Sequence, residues 1–556
     1  MKYSKIFLIN FFIQISIILF VSIFWTATYG TSDDWILDGW LNSNYTGEFE
    51  KESVFVSAIF SNSISYLYSL QLSIAWYSII LMSITLVALT HWLTISTLEN
   101  TIKKRYFLII INSSVTVIFL LWSYIGITFT STAIICAVVG LYSLIKSQIE
   151  INASKINIIM GCTLLLAAYI IRAESLIGAI ALFTPLIFLI IKKNKKTNFQ
   201  KLKNLMPVII IFFVTVIVNN YLEENQSKEM KQFRTWVYKV QLFSDRPRLM
   251  ELENVLDKAK WSANDYHMFS DMIYFDNLVF DEKWLENGIL ATNDYYQTPN
   301  LSFETFKLIL SKYSYNISYL LPTFIGAVVL SLFLYRRKWD KYQVFFVIST
   351  LTVFAGIHLF LGIFMHNVPR VSLPLILGLL VILSCNWQEL TTKLEQIRFQ
   401  YAFLFLYFMC LIFAINGMNE SRNIIDQQID QSIATSNSID KNYSGEVILV
   451  PGRQEFNQMR NPYNYVEKDP NPNVMMIGNW DTFSPQWDKR LLNLNLDSKN
   501  LSKDLLIKSN ILWASQDFPE ATVHILDFFS ENNYGEYKFN KIVTLPNKAT
   551  LRSLSK

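Results

Sequence analysis

The chain has 556 residues, of which 52% are hydrophobic and 17% charged, with a formal net charge of +4. A soluble domain usually carries roughly 25% charged residues. The composition therefore excludes an ordinary soluble enzyme, and so small a net charge gives no footprint for nucleic acid. The four cysteines fall inside apolar runs and form no CxxC, so they read as small hydrophobes. The five scattered histidines form no HExxH or similar metal spacing.

In chain order, the first apolar run is 6–25, preceded by Lys2 and Lys5. It is long for a signal-peptide core and lacks a clear cleavage site, so it reads as a retained helix. Further runs of spanning length follow at 72–94, 106–122, 131–146, 157–171, 175–191, 205–222, 318–335, 342–364, 371–388 and 400–417. Unpaired backbone groups are not tolerated in lipid, so the expected fold is an α-helical polytopic membrane protein with about eleven transmembrane helices. With the N-terminus inside, the cytoplasmic segments hold nineteen Lys and Arg residues. The short outer segments hold three, Lys51, Arg172 and Arg370. That asymmetry predicts a cytoplasmic N-terminus and an extracytoplasmic C-terminus in the cell membrane.

Three outer segments are long: 26–71, 223–317 and the tail from about 418. The tail alternates strand-like runs at 446–450, 474–477, 511–513 and 542–545 with a helical run at 521–530, as a small α/β domain over 440–556 would. The expected division is a transmembrane domain over 1–417 followed by this extracytoplasmic domain. Neither an internal repeat nor a low-complexity stretch is present.

Polar groups gather at the outer helix ends. The first outer loop opens Thr31-Ser32-Asp33-Asp34-Trp35-Ile36-Leu37-Asp38-Gly39-Trp40. Ser32 can cap a short helix, with Asp33 and Asp34 at the positive end of its dipole and Trp35 and Trp40 anchoring it on the membrane. Two adjacent carboxylates can also share a cation, or one can serve as a base while the other tunes its pKa. Asp38 lies one turn beyond Asp34 and is expected to tolerate Asn better than Asp33 does. Arg172 and Glu174 occupy an almost absent outer connection, where ionisable groups face a cavity or each other. The stretch His366-Asn367-Val368-Pro369-Arg370 offers a guanidinium fork that suits phosphate oxygens, with Pro369 and Pro374 fixing the helix start. In the second long loop, Ser262 or Asn264 can cap a helix; Asn264, Asp265 and nearby aromatics also suit a sugar.

Helix 1, a long outer loop opening with paired acids and a flat helix, and later helix pairs with an Arg at the outer edge together resemble the GT-C superfamily of membrane glycosyltransferases, in its bacterial form with a C-terminal outer domain. The resemblance spans the architecture of roughly residues 1–400, and its motifs are Ser32-Asp33-Asp34, Arg172-Ala173-Glu174 and Pro369-Arg370. It implies a polyprenyl-phosphate-linked sugar as donor, a glycan or glycolipid of the envelope as acceptor, membrane lipids as surroundings and no nucleic acid. It also implies transfer on the outer face. Asp33 and Asp34 are then the catalytic acids, in either order. Arg172, Arg370 and His366 hold the phosphate, and Glu174, Trp35, Asn264 and Asp265 contact sugar or acceptor. Some members use a divalent cation, Mg2+ or Mn2+; here Asp34 would be its ligand, and no cofactor is required by the sequence. A phosphate is already a good leaving group, so one base and one cationic clamp suffice, unlike the two carboxyl groups of a glycosidase. Three other readings stay open: a transporter or flippase, or a polymerase, of lipid-linked saccharides, and a non-enzymatic membrane scaffold with a binding tail.

Overall fold

The computed structural model describes residues 3–71, 73–102, 106–149, 155–193, 198–244, 252–297, 341–364, 368–390, 397–451, 461–464, 472–515 and 519–556. Ten of the eleven expected spans fall on helices: α1 (Tyr3–Phe24), α4 (Trp76–Ile102), α5 (Tyr106–Ile125), α6 (Phe129–Ile149), α7 (Lys155–Ile171), α8 (Glu174–Lys193), α9 (Asn198–Glu224), α14 (Lys341–Phe364), α15 (Pro369–Leu390) and α16 (Ile397–Tyr443). The expected span at 318–335 lies outside the described residues. Four of these helices are long and apolar enough to cross a membrane, and four shorter apolar helices accompany them. The protein is thus an α-helical polytopic membrane protein with a C-terminal sheet domain.

The bundle packs around α6, whose middle from Ala133 to Val139 is buried on all sides. Gly140 of α6 faces Gly161 of α7, and a Cβ on either would meet the other's carbonyl oxygen at 2.9–3.0 Å. Small residues of this kind let two membrane helices approach backbone to backbone. The helices α4 and α6 run in the same direction. Tyr77 and Phe129 at their N-terminal ends both reach one carboxylate, while at their C-terminal ends Lys146 pairs with Glu99 at 2.6 Å. That shared direction is what alternation through the intervening α5 requires.

Between the spans lie shorter helices: α2 (Ser32–Leu41), α3 (Ala58–Leu70), α10 (Lys228–Ser244), α11 (Leu252–Ala259), α12 (Ala263–Ser270) and α13 (Glu282–Gln297). The two-residue strands β1 (Thr28–Tyr29) and β2 (Gly126–Ile127) pair in parallel. They tie the exit of α1 to the turn between α5 and α6.

The tail forms a five-stranded sheet of order β4-β3-β5-β7-β6, from β3 (Val447–Pro451), β4 (Val474–Ile477), β5 (Ile511–Ser515), β6 (Lys538–Thr544) and β7 (Thr550–Ser555). Three strands are parallel, and β7 and β6 close the sheet antiparallel. Its helices are α17 (Pro485–Asn493), α18 (Leu501–Ile507) and α19 (Pro519–Glu531). β3, β4 and β5 are buried throughout and read as apolar runs, as parallel strands covered on both faces do. β6 is an exposed edge carrying Lys538 and Lys541, a composition that discourages edge pairing.

The sheet packs against both long segments between spans, the one that carries Tyr45 and the one that carries Tyr274. Tyr45 donates to Asp481 at 2.5 Å, and Arg490 donates to the Tyr45 carbonyl at 2.9 Å with its guanidinium 4.7 Å from that ring. Tyr274 donates to the Asn479 carbonyl at 3.1 Å, and Trp480 packs on Trp40 and Phe55. Gly478 has φ +81°, and a Cβ there would lie 2.0 Å from the Met272 carbonyl oxygen. A side chain is excluded there both by the backbone angle and by the loop seated against it.

Candidate active site

The site is built where one end each of α1, α4, α5, α6, α7 and α15 come together. Gly30 makes the approach possible: its N–H donates to the Ile127 carbonyl at 2.9 Å, and a Cβ would lie 2.3 Å from Thr128. Thr31 then takes the N-cap position of α2; its hydroxyl makes no capping bond to the backbone and instead donates to Asp34 Oδ2 at 2.6 Å. The cap is therefore Thr31, not the Ser32 read from the sequence.

The two adjacent acids have different fates. Asp34 is fully buried. Its Oδ1 accepts from the Tyr77 hydroxyl and from the Phe129 backbone N–H, both at 2.8 Å. Phe129 is the first residue of α6, so Asp34 satisfies an otherwise orphaned N–H at the positive end of that helix. Burial nevertheless pushes the Asp34 carboxyl up to about 7, helped by the charge of Asp33 and opposed by the three donors. Asp33 points the other way. It is partly exposed and pairs with Arg370, Nη2 to Oδ2 3.1 Å.

Arg172 stands beside this pair, within electrostatic reach of Glu174, Arg370, Asp33 and Asp34. Its Nη1 donates to the Thr130 hydroxyl at 2.7 Å, and its guanidinium lies 5.3 Å from the Phe129 ring. Ser131 completes the set by donating to the Arg370 carbonyl at 3.0 Å. Three consecutive residues at the start of α6 thus hold Asp34, Arg172 and the backbone at Arg370. Glu174 is exposed and only 3.7 Å from Arg172 Nε, a loose pair at the rim. His366 lies outside the described residues.

Comparison with known proteins adds little to this geometry. No protein-family model and no curated protein matches the chain. Among solved structures the chain is similar to ArnT from Cupriavidus metallidurans bound to undecaprenyl phosphate, at 9% identity and a TM-score of 0.45, covering 99% of this chain and 97% of that one.

Several sequence expectations are corrected. Trp40 is not a membrane anchor, because it is fully buried against Tyr45, Phe233 and Trp480. Trp35 is partly buried and packs against the sheet core. Asp38 is no neutral control: it is buried, accepting from Tyr29 and, at 2.7 Å, from Tyr68. Burial pushes its carboxyl up to about 6. Asp34 engages N–H or O–H donors through both of its oxygens. Asn264 and Asp265 are held elsewhere. Asp265 completes a capping box with Ser262, and Asn264 bonds His524.

Sequence reasoning missed the segment Gly126-Ile127-Thr128-Phe129-Thr130-Ser131 and the tyrosines Tyr29, Tyr68 and Tyr77. The available signal was four hydroxyl residues among the five positions 128–132, between two apolar runs at the same end as Arg172.

Proposed function

We propose that the protein is a membrane glycosyltransferase that moves a sugar from a polyprenyl-phosphate donor to a glycan or glycolipid acceptor on the outer face. The observation that supports this reading is the Asp33–Arg370 pair with Arg172 beside it, at the end of the bundle. A base and two guanidinium groups there meet a donor whose lipid tail stays in the bilayer and whose phosphate sits at headgroup depth. The donor phosphate competes with Asp33 for Arg370, for which a planar fork is well suited. Asp33, released from its partner, accepts the proton of the acceptor hydroxyl. The acceptor oxygen forms its bond to the anomeric carbon as the carbon–oxygen bond to phosphate breaks, and the bonding pair leaves on polyprenyl phosphate. Arg172 and Arg370 stabilise that charge. Asp34 and Asp38 hold α2 in place and do not react.

The tail closes over the same end. Its Tyr463 stacks on Tyr124 at the end of α5, 5.2 Å between ring centres, and Trp35, next to Asp34, packs on its core. We assign the tail to acceptor binding, with no catalytic group of its own. Mass spectrometry of lipid-linked sugars and envelope glycans, with and without the gene, tests the reading. Accumulation of a polyprenyl-phosphate sugar together with loss of one glycan residue is expected. Unchanged glycans with a lipid-linked saccharide trapped inside would favour a flippase instead.

A further inference from the structure

A second constellation lies between α12 of the second outer loop and α19 of the tail. His267, Asp271 and His524 each offer a ligand atom, and these atoms lie within 4.8 Å of one another. All three residues are partly buried. The two imidazole rings are nearly parallel, at 14°, with centroids 5.2 Å apart. Two imidazoles bound to one tetrahedral zinc through bonds of about 2.0–2.1 Å have ring centres about 5 Å apart. Ligand atoms on such an ion are separated by about 3.4 Å, so metal binding would draw these three groups closer together.

The surroundings prepare the donors. Asn264 donates its amide N–H to the His524 carbonyl at 3.0 Å, which fixes the direction of its own Oδ1. That oxygen meets His524 Nδ1 at 2.8 Å. Nδ1 must therefore carry the proton, and Nε2 is the nitrogen with the lone pair. Outer groups select the tautomer of metal-ligating histidines in this way. His267 and Asp271 are one turn apart, and the Asp271 N–H donates to the His267 carbonyl at 2.9 Å, locking that turn. Ser270 donates to Asp271 Oδ1 at 3.3 Å.

We propose that His267, Asp271 and His524 bind a divalent transition-metal ion, zinc by preference, that pins the second outer loop to the tail. Two imidazoles and one carboxylate suit zinc and disfavour Mg2+ and Ca2+, which take oxygen ligands. The remaining coordination position is left to water or to a substrate group. This site is independent of the glycosyltransferase reading and of the Asp33 cluster.

The test uses the full-length protein in detergent, purified on a tag without histidine and stripped with a chelator. Zinc is added back and the bound metal counted by elemental mass spectrometry, with Co2+ as a spectroscopic probe. About one zinc per chain is expected, together with a Co2+ visible spectrum of low-coordinate nitrogen and oxygen ligation. His524→Gln and Asp271→Asn should abolish both. Asn264→Ala keeps all three ligands and should weaken zinc binding roughly 10–100-fold. Added Mg2+ should not compete. Zinc should raise the melting temperature of the wild type but not of His524→Gln. The proposal is overturned if the stripped wild type takes up no zinc at micromolar concentration, or if folded His524→Gln binds it as the wild type does. Where His524→Gln fails to fold, unchanged zinc affinity in Asn264→Ala together with a Co2+ spectrum lacking nitrogen ligation overturns it.

Discussion

The proposed mechanism makes an uncommon demand of Asp33→Asn: transfer should collapse while phosphate binding improves. The Arg370–Asp33 pair is 3.1 Å long and its side chains are 27% and 17% exposed. Partly exposed ion pairs are worth about 0.2–1 kcal/mol. Removing the Asp33 charge frees Arg370 from that competitor, so polyprenyl phosphate should bind about 1.5- to 5-fold more tightly. The basic oxygen is lost at the same time, which lowers transfer roughly 10²- to 10⁴-fold. The pair of measurements is donor-dependent transfer in membranes holding equal amounts of each variant, and polyprenyl-phosphate binding to the purified protein. Arg370→Met should weaken binding and transfer together. Near wild-type transfer by Asp33→Asn would refute its role as base, and loss of phosphate binding with retained folding would refute the competition for Arg370.

Asp34→Asn should fold well, because Oδ1 keeps both of its donors and the Thr31 hydroxyl can turn to accept from the new amide. The folded carboxyl titrates near 7, above its ordinary 3.8, so the protonated acid is the form that folding favours. Its contribution is fully present below about pH 4 and is lost as pH rises through 7, on the order of a few kcal/mol. Melting curves of the wild type should fall across that window, and those of Asp34→Asn should be flatter; equal slopes would show that Asp34 does not titrate there. Gly478→Ala should unseat the tail from the second loop by forcing a Cβ onto the Met272 carbonyl. Donor hydrolysis should survive while transfer to acceptor falls, and loss of both in a stably inserted protein would put a catalytic group in the tail. Reporter fusions at Thr197 and Ser438 should report opposite sides, with Ser438 outside; the same side for both contradicts the orientation.

Much of the bundle was legible because spanning length is a local property of a chain in lipid. Alternating spans return every second helix end to one side, and Asp33, Arg172 and Arg370 meet on one such side. Tertiary packing was not legible. Trp40 has the composition of an interfacial anchor, yet it lies under Trp480, more than four hundred residues away in sequence. The hydroxyls of 128–132 look like an ordinary turn, and only the pairing of β1 with β2 brings Asp34 to the first N–H of α6. β7 escaped notice because its run, Thr550–Ser555, alternates weakly and ends in polar residues.

The division of labour between the paired acids was only half legible in the sequence. Neighbouring residues on a helix point about 100° apart, whereas residues four apart share a face. Asp34 is four residues from Asp38, and Leu37 and Leu41 lie beside them on the same side of α2. An apolar face carrying two carboxylates has to bury them, and burial requires donors on every oxygen. Tyr29, Tyr68, Tyr77, Thr31 and the Phe129 N–H are those donors. By the same spacing Asp33 shares a face with the buried Ile36, Leu37 and Trp40, yet it stays partly exposed and pairs with Arg370. Tertiary packing therefore separates a fixed acid from an available one, and it sets the available one against Arg370, a guanidinium suited to a phosphate.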